Sequence, residues 1–143
     1  MNAEVRQVTT EDAEAISALS QQLGYSMTPD KTADQITEIS GSANDIAMAA
    51  VIDGKIVGWI HVFYTARLEC PSYCEIGGLV VDEHHRGMGV GKLLIESIKS
   101  WCKSRSSASL RVRSNSKRSD AHEFYKSAGF RFVKEQKVFE SQL

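Results

Sequence analysis

Apolar and polar positions change period along this chain, and the changes mark its elements. Glu4 to Val8 alternates in the manner of a short strand. Thr9 or Thr10 then offers a capping oxygen to a helix in which Ile16, Leu19 and Leu23 recur at helical spacing, until Gly24 ends it. Thr28-Pro29-Asp30 opens a second helix, because proline suits the first helical position, where an N–H has no intrahelical partner in any case. Its buried stripe is Ala33, Ile36 and Ile39, before Gly41. Residues 46–52 and 55–63 favour strands and flank Asp53-Gly54, a pair that tolerates the positive φ angles of a type I′ turn, so they predict an antiparallel hairpin. Beyond a polar loop at residues 67–72, Tyr73 to Val81 reads as a further strand. Its Gly77-Gly78 pair weakens a regular ladder and predicts a bulge or a close approach by a ligand.

Arg86-Gly87-Met88-Gly89-Val90-Gly91-Lys92 follows, leading into a helix with Leu94, Ile98, Trp101 and Cys102 on one face. Strand, glycine loop and helix together form an anion-binding arrangement: glycine admits close backbone approach, and the free N–H groups of the first helical turn favour a phosphate or pyrophosphate. Two familiar phosphate motifs do not fit. A Walker loop needs Gly where Arg86 stands and Ser or Thr where Leu93 stands, and a GxGxxG fingerprint from Gly87 needs Gly in place of Lys92. Downstream, Asp120 with Glu123 resembles a capping pair, Gly129 suits the position after a helix end, and Ala121, Phe124, Tyr125 and Ala128 share one face. By spacing alone Tyr125 is a core tyrosine. Glu75, in an otherwise apolar strand, is either on a solvated face or kept for chemistry. Arg111 and Arg113 alternate with Leu110 and Val112, so both project from one face of a strand, either as a solvated edge or as an anion site.

Length and composition narrow the picture. A chain of 143 residues is one domain, 1–143, and 42% apolar with 24% charged residues is ordinary for a folded soluble protein. With 17 Lys plus Arg against 18 Asp plus Glu, no global basic field points to nucleic acid or a membrane surface. No run of 18 apolar residues occurs, and Glu4 and Arg6 stand where a signal peptide needs an apolar stretch, so the expected location is cytoplasmic. Cys70, Cys74 and Cys102 cannot all pair internally and read as reduced thiols, and the histidines show no metal-ligand spacing, so no metal is expected.

Arg86, Gly89 and Gly91 fit the [Arg/Gln]-x-x-Gly-x-[Gly/Ala] signature, and in this the chain resembles the GNAT superfamily of acetyl-CoA-dependent N-acetyltransferases. The segment from Leu110 to Asn115 and the Ala121…Phe124-Tyr125…Gly129-Phe130 helix look like that family's next motif in the right order; the strong likeness covers Glu75 to Phe130. The resemblance implies an α/β fold of the GNAT type: a mixed, mostly antiparallel twisted sheet of six or seven strands flanked by four helices. It implies acetyl-CoA as cosubstrate, with Leu79, Val80 and Val81 pairing the pantetheine arm and Asn115 orienting it. Backbone N–H groups of the loop, Arg86, Gly87, Met88, Gly89, Val90, Gly91 and Lys92, would hold the pyrophosphate.

The same resemblance turns Tyr125 from a core residue into the acid that returns a proton to the leaving thiolate; reference pKa values of about 10 for a phenol and about 8.5 for a thiol allow it. The eleven residues from Glu75 to Arg86 match the spacing between the general-base Glu and the loop in histone-acetylating members, which implies Glu75 as base. A strand N–H at Gly77-Gly78 would then stabilise the oxyanion. The acceptor is expected to be a primary amine of a small molecule. Residues 115–122 look similar to a segment of aminoalkylphosphonate acetyltransferases, which implies an anionic amine. A peptide or protein amine is the alternative acceptor, and a non-catalytic acyl-CoA-binding sensor is the alternative class. A homodimer is compatible with either.

Overall fold

In the computed structural model, which describes residues 2–143, the strands β1 (Glu4–Gln7), β2 (Asp45–Ile52), β3 (Lys55–Thr65), β4 (Tyr73–Val81) and β5 (Leu110–Val112) form one sheet in the order β1-β2-β3-β4-β5. β1 to β4 pair antiparallel, and β5 joins β4 in parallel. The β2–β3 hairpin closes as its sequence predicts: Asp53 and Gly54 take φ angles of 50° and 76°, and Ile52 pairs directly with Lys55. The chain divides into two compact units, one running to Val112 and the other Arg113–Leu143.

In the first unit the helices are α1 (Ala13–Gln21), α2 (Pro29–Ser40) and α3 (Val90–Ser104). Thr28 caps α2 by accepting from the Lys31 N–H at 3.2 Å, with Pro29 at the first helical position. α1 is entered through a short 3₁₀ turn at Thr10–Asp12, capped from Thr9. Ile16 of α1 and Ile36 of α2 pack with Ala49 of β2 on one face of the sheet, joined by the half-buried Ala47 and Trp59. α3 lies on the other face, where Gly58 of β3 leaves room for it: a Cβ there would stand 3.2 Å from Val90 Cγ1 and from Leu94 Cδ1. Val90, Leu94, Ile95 and Ile98 are fully buried along that contact.

The second unit holds α4 (Ser119–Ser127), which ends as expected at Gly129, with φ 96° and the Phe130 N–H donating to Tyr125 O at 2.9 Å. The expected Asp120–Glu123 capping pair does not form. Asp120 already lies inside the first turn, where its charge suits the helix dipole, and Glu123 instead faces Lys126 at 3.6 Å.

The sheet has five strands where six or seven were expected. β5 is three residues long, so Arg113 falls beyond it, and residues 130–143 carry no strand. The run Lys134-Glu135-Gln136-Lys137 puts four polar residues in succession and breaks the period of two that would give that segment a buried face; Val138 and Phe139 beyond it are exposed.

Candidate active site

The glycine loop is shaped by backbone conformation. Gly87 and Gly89 take φ angles of 76° and 85°, a left-handed region that side chains with a Cβ rarely adopt, and Gly89 serves as the N-cap of α3. Leu93 N–H donates to Gly89 O at 3.0 Å, so the helix ladder starts there and the Val90, Gly91 and Lys92 amides are the first-turn donors with no intrahelical acceptor. Nothing lies within 4 Å of where a Cβ of Gly87 would be. Arg86 turns back, its Nε donating to Val81 O at 3.2 Å. Gln22 fixes the approach to the loop from the end of α1: its Nε2 donates to Asp82 Oδ1 at 2.9 Å, and its Oε1 accepts from the Glu83 N–H at 3.0 Å. That hydrogen bond, with His85 on the other carboxylate oxygen, holds the Asp82 carboxyl below the usual aspartate range. Open space, left-handed glycines and helix-terminal amides suit a diphosphate.

β4 supplies the second part. It pairs with β5 only at Cys74, Glu75 and Ile76, so from Gly77 to Val81 no strand covers that edge among the described residues. The edge at Leu79, Val80 and Val81 thus leaves backbone groups open to an added extended chain. On the other side, β3 and β4 slip register between His61 and Val62: Gly78 faces His61 and Ile76 faces Val62, which leaves Gly77 as the extra residue of a bulge. The two glycines are also required by their neighbours. A Cβ at Gly77 would stand 2.8 Å from His61 Nδ1, and one at Gly78 would stand 2.7 Å from the Trp59 indole.

Glu75 is half-buried and sits opposite Phe63 on β3 and Arg111 on β5. Side chains of Trp59, His61, Phe63, Tyr73 and Glu75 share the face on which α1 and α2 pack, by strand alternation from Trp59 in that core. Two residues along from Glu75, the buried Tyr73 accepts at its hydroxyl from Arg67 Nε at 2.9 Å, and the Arg111 guanidinium stacks 4.1 Å from its ring centroid. Two cations therefore converge on one phenol beside Glu75.

In the second unit, Tyr125 is half-buried on α4, edge-on to Phe124 and Phe130 with centroids 5.2 and 5.6 Å away. Asn115 shapes a tight turn: its Oδ1 accepts from the Lys117 N–H at 2.9 Å, and its carbonyl oxygen lies 2.9 Å from His122 Nε2.

Sequence reading missed the pairing of His61 Nε2 with Asp45 Oδ1 at 2.7 Å, and the convergence of Arg67 on Tyr73. The first was within reach. The hairpin register set by Asp53-Gly54 brings residue 45 opposite the 61–63 stretch, but the one-residue slip between Ala50 and Val51 decides the partner. A cavity of about 130 Å³ lined by Ser40, Asp45, Trp101 and Arg105 lies toward the C-terminal end of α3, away from the glycine loop.

The family model of the acetyltransferase (GNAT) family matches residues 12–130. No curated protein matches the sequence. Among solved structures, the fold is similar to that of aminoglycoside 6′-N-acetyltransferase AAC(6′)-Ig from Acinetobacter haemolyticus, with a TM-score of 0.86 at 15% identity over 98% of this chain and 99% of that one. It is equally similar to aminoglycoside N-acetyltransferase AAC(6′)-Iy in complex with CoA, with a TM-score of 0.87 at 17% identity over 99% and 96% of the two chains. A protein named a transcriptional regulator from Bacillus halodurans shares the fold at a TM-score of 0.85 and 21% identity, over 98% and 100%. With the family model spanning the glycine loop, β4 and α4 alike, the chain belongs to the GNAT family and is an acetyl-CoA-dependent N-acetyltransferase.

Proposed function

We propose that this enzyme moves acetyl from acetyl-CoA directly to a primary amine of a small molecule that also carries an anionic group, in the cytoplasm and as one catalytic domain over residues 1–143. The observation that carries the coenzyme half is the left-handed Gly87–Gly89 loop opening α3 next to the uncovered β4 edge. Backbone amides from Gly87 to Lys92 hold the pyrophosphate, Leu79, Val80 and Val81 align the pantetheine arm, and Asn115 orients it. Glu75 accepts a proton from the attacking nitrogen, the Gly77 region presents an N–H to the thioester oxygen, and Tyr125 returns a proton to the departing thiolate. A positioned base contributes about 10²- to 10⁴-fold. The match of the family model to residues on both sides of Val112 supports a single domain, and three unbonded cysteines fit a reducing compartment.

The anionic acceptor is supported by Arg67 at the Tyr73 hydroxyl and Arg111 over the Tyr73 ring, next to Glu75 on β4. The named activity of two structural neighbours favours a second reading, in which the acceptor is an aminoglycoside. Free thiol released from acetyl-CoA, followed across aminoalkylphosphonates, polyamines, aminoglycosides and peptides, decides between them. Turnover confined to polycationic amines overturns the anionic acceptor, and coenzyme binding without amine-dependent release would make the chain a sensor.

A further inference from the structure

Two protons leave the acceptor nitrogen during acetyl transfer, one to turn the ammonium into a nucleophile and one when the tetrahedral adduct becomes an amide. Glu75 can take one of them. The sheet face that carries it holds a second proton acceptor. His61 and Asp45 are each only 22% exposed at the side chain, and their 2.7 Å contact joins Nε2 to the carboxylate. With Nε2–H donating to Asp45, the neutral ring carries its basic lone pair on Nδ1. That atom points at the bulge: it is the nearest side-chain atom to the Cβ position that Gly77 lacks, 2.8 Å away, with Phe63 Cε1 at 3.3 Å. Gly77 itself is exposed to solvent, and it is the residue whose backbone the β3 register skips.

We infer that His61, oriented by Asp45, is the group that takes the ammonium proton, a reading that rests on the proposed amine transfer at β4. The acceptor R–NH₃⁺ gives one proton to His61 Nδ1, and the freed lone pair forms the N–C bond to the thioester carbon. Collapse of the adduct breaks the C–S bond, Glu75 takes the second nitrogen-bound proton, the thiolate is protonated from Tyr125, and the proton on Glu75 then passes through solvent to replace the one Tyr125 gave up. The imidazolium then returns its proton to water, so the sum is amide, free thiol and one released H⁺. Asp45 is a positioning residue, since it holds the Nε2–H tautomer. Arg105 lines a cavity with Asp45 from the end of α3, and Glu75 on β4 shares the pair's sheet face; the residues of α1 and α2 that are buried are not titratable.

The test compares acceptor amines of graded basicity against the parent, His61→Ala, His61→Asn, Asp45→Asn and Glu75→Gln chains, at fixed pH and saturating acetyl-CoA. With an amine that is mostly protonated at the assay pH, His61→Ala should lose about 10²-fold or more in kcat and recover part of it with added imidazole. With an amine already neutral at that pH the same variant should fall within a few-fold of the parent, while Glu75→Gln stays impaired. Asp45→Asn should follow His61→Ala in pattern with a smaller loss. Coenzyme affinity and the urea midpoint of His61→Asn guard against loss of fold. An equal loss for every amine makes the pair a structural tie between β2 and β3 and overturns the inference, as does a folded His61→Ala chain with parent-like turnover. A parent that releases no thiol with any amine removes the proposed function as well, whereas a parent that turns over beside an unimpaired His61→Ala removes only the role of His61.

Discussion

The Cη2–Cζ3 edge of the Trp59 indole abuts Gly78, so close that a Cβ on Gly78 would stand 2.7 Å from Cη2 and 2.8 Å from Cζ3. Trp59 has its Nε1 buried without a hydrogen-bond partner among the described residues and is packed against the α1–α2 core, so the ring has little freedom to yield. Gly78→Ala should therefore cost about 1–3 kcal/mol, as overpacking does. Urea unfolding followed by tryptophan fluorescence measures it, and an unchanged midpoint would show that the ring moves freely.

Gly89 is the N-cap of α3 with φ 85°. Gly89→Asp adds a Cβ in a left-handed conformation and a negative charge where the pyrophosphate is to lie. Calorimetry should show coenzyme A affinity lowered at least tenfold in a chain that remains folded by circular dichroism. Unchanged affinity would place the phosphates elsewhere.

Asp12 accepts from Arg6 Nη1 and Nη2 at 2.8 and 2.9 Å and from the Thr9 N–H at 2.8 Å. These bonds, the Arg6 pair foremost, hold the buried carboxyl below the usual aspartate range. A carboxyl depressed on folding stabilises the fold above its unfolded value, near pH 4, and that contribution drains away as the pH falls through the lower folded value. Asp12→Asn should cost about 1–2 kcal/mol at pH 7, because Arg6 is half exposed and solvent screens the pair. The gap between parent and variant should stay level from about pH 6 to pH 8 and shrink below about pH 4.

Cys102 on α3 and Cys74 on β4 are both buried, and burial, with the Cys74 thiol as a hydrogen-bond neighbour, pushes the Cys102 thiol up to about 12. At pH 8 only about one Cys102 in 10⁴ is then a thiolate, the reactive form. An aromatic disulfide reagent should label the half-buried Cys70 first in the native chain and reach Cys102 only on denaturation. Fast native labelling of Cys102, read by peptide mass, would contradict the packing of α3 on β4.

Glu75→Gln and Tyr125→Phe should act on different halves of the transfer. The first should lower turnover by about 10²-fold or more with coenzyme affinity nearly intact. The second should slow thiolate departure, so that its deficit shrinks when the acyl donor carries a more acidic thiol leaving group. A Glu75→Gln enzyme within a few-fold of the parent would leave Glu75 as a strand residue.

The sequence by itself determined whatever depends on a few neighbouring residues. Asp53-Gly54 fixed the β2–β3 turn because both positions need positive φ, Thr28-Pro29 fixed the start of α2, and Gly87 and Gly89 fixed a loop that larger residues cannot follow. Tyr73 to Val81 was legible from end to end as a strand, and Gly77-Gly78 as its irregular point. Why those glycines are needed was decided only by packing: the rings of Trp59 and His61 come from another strand and occupy the space of two side chains. The same holds for His61 with Asp45, whose contact depends on single-residue slips that local preference does not encode, and for Arg67 and Arg111 meeting over Tyr73. Strand count, too, was a tertiary outcome, since β5 pairs with β4 only from Cys74 to Ile76 and leaves the edge beyond the Gly77 bulge open. Turn and cap chemistry is local and therefore readable along the chain, whereas a contact across strands depends on register, and one inserted residue changes every partner beyond it.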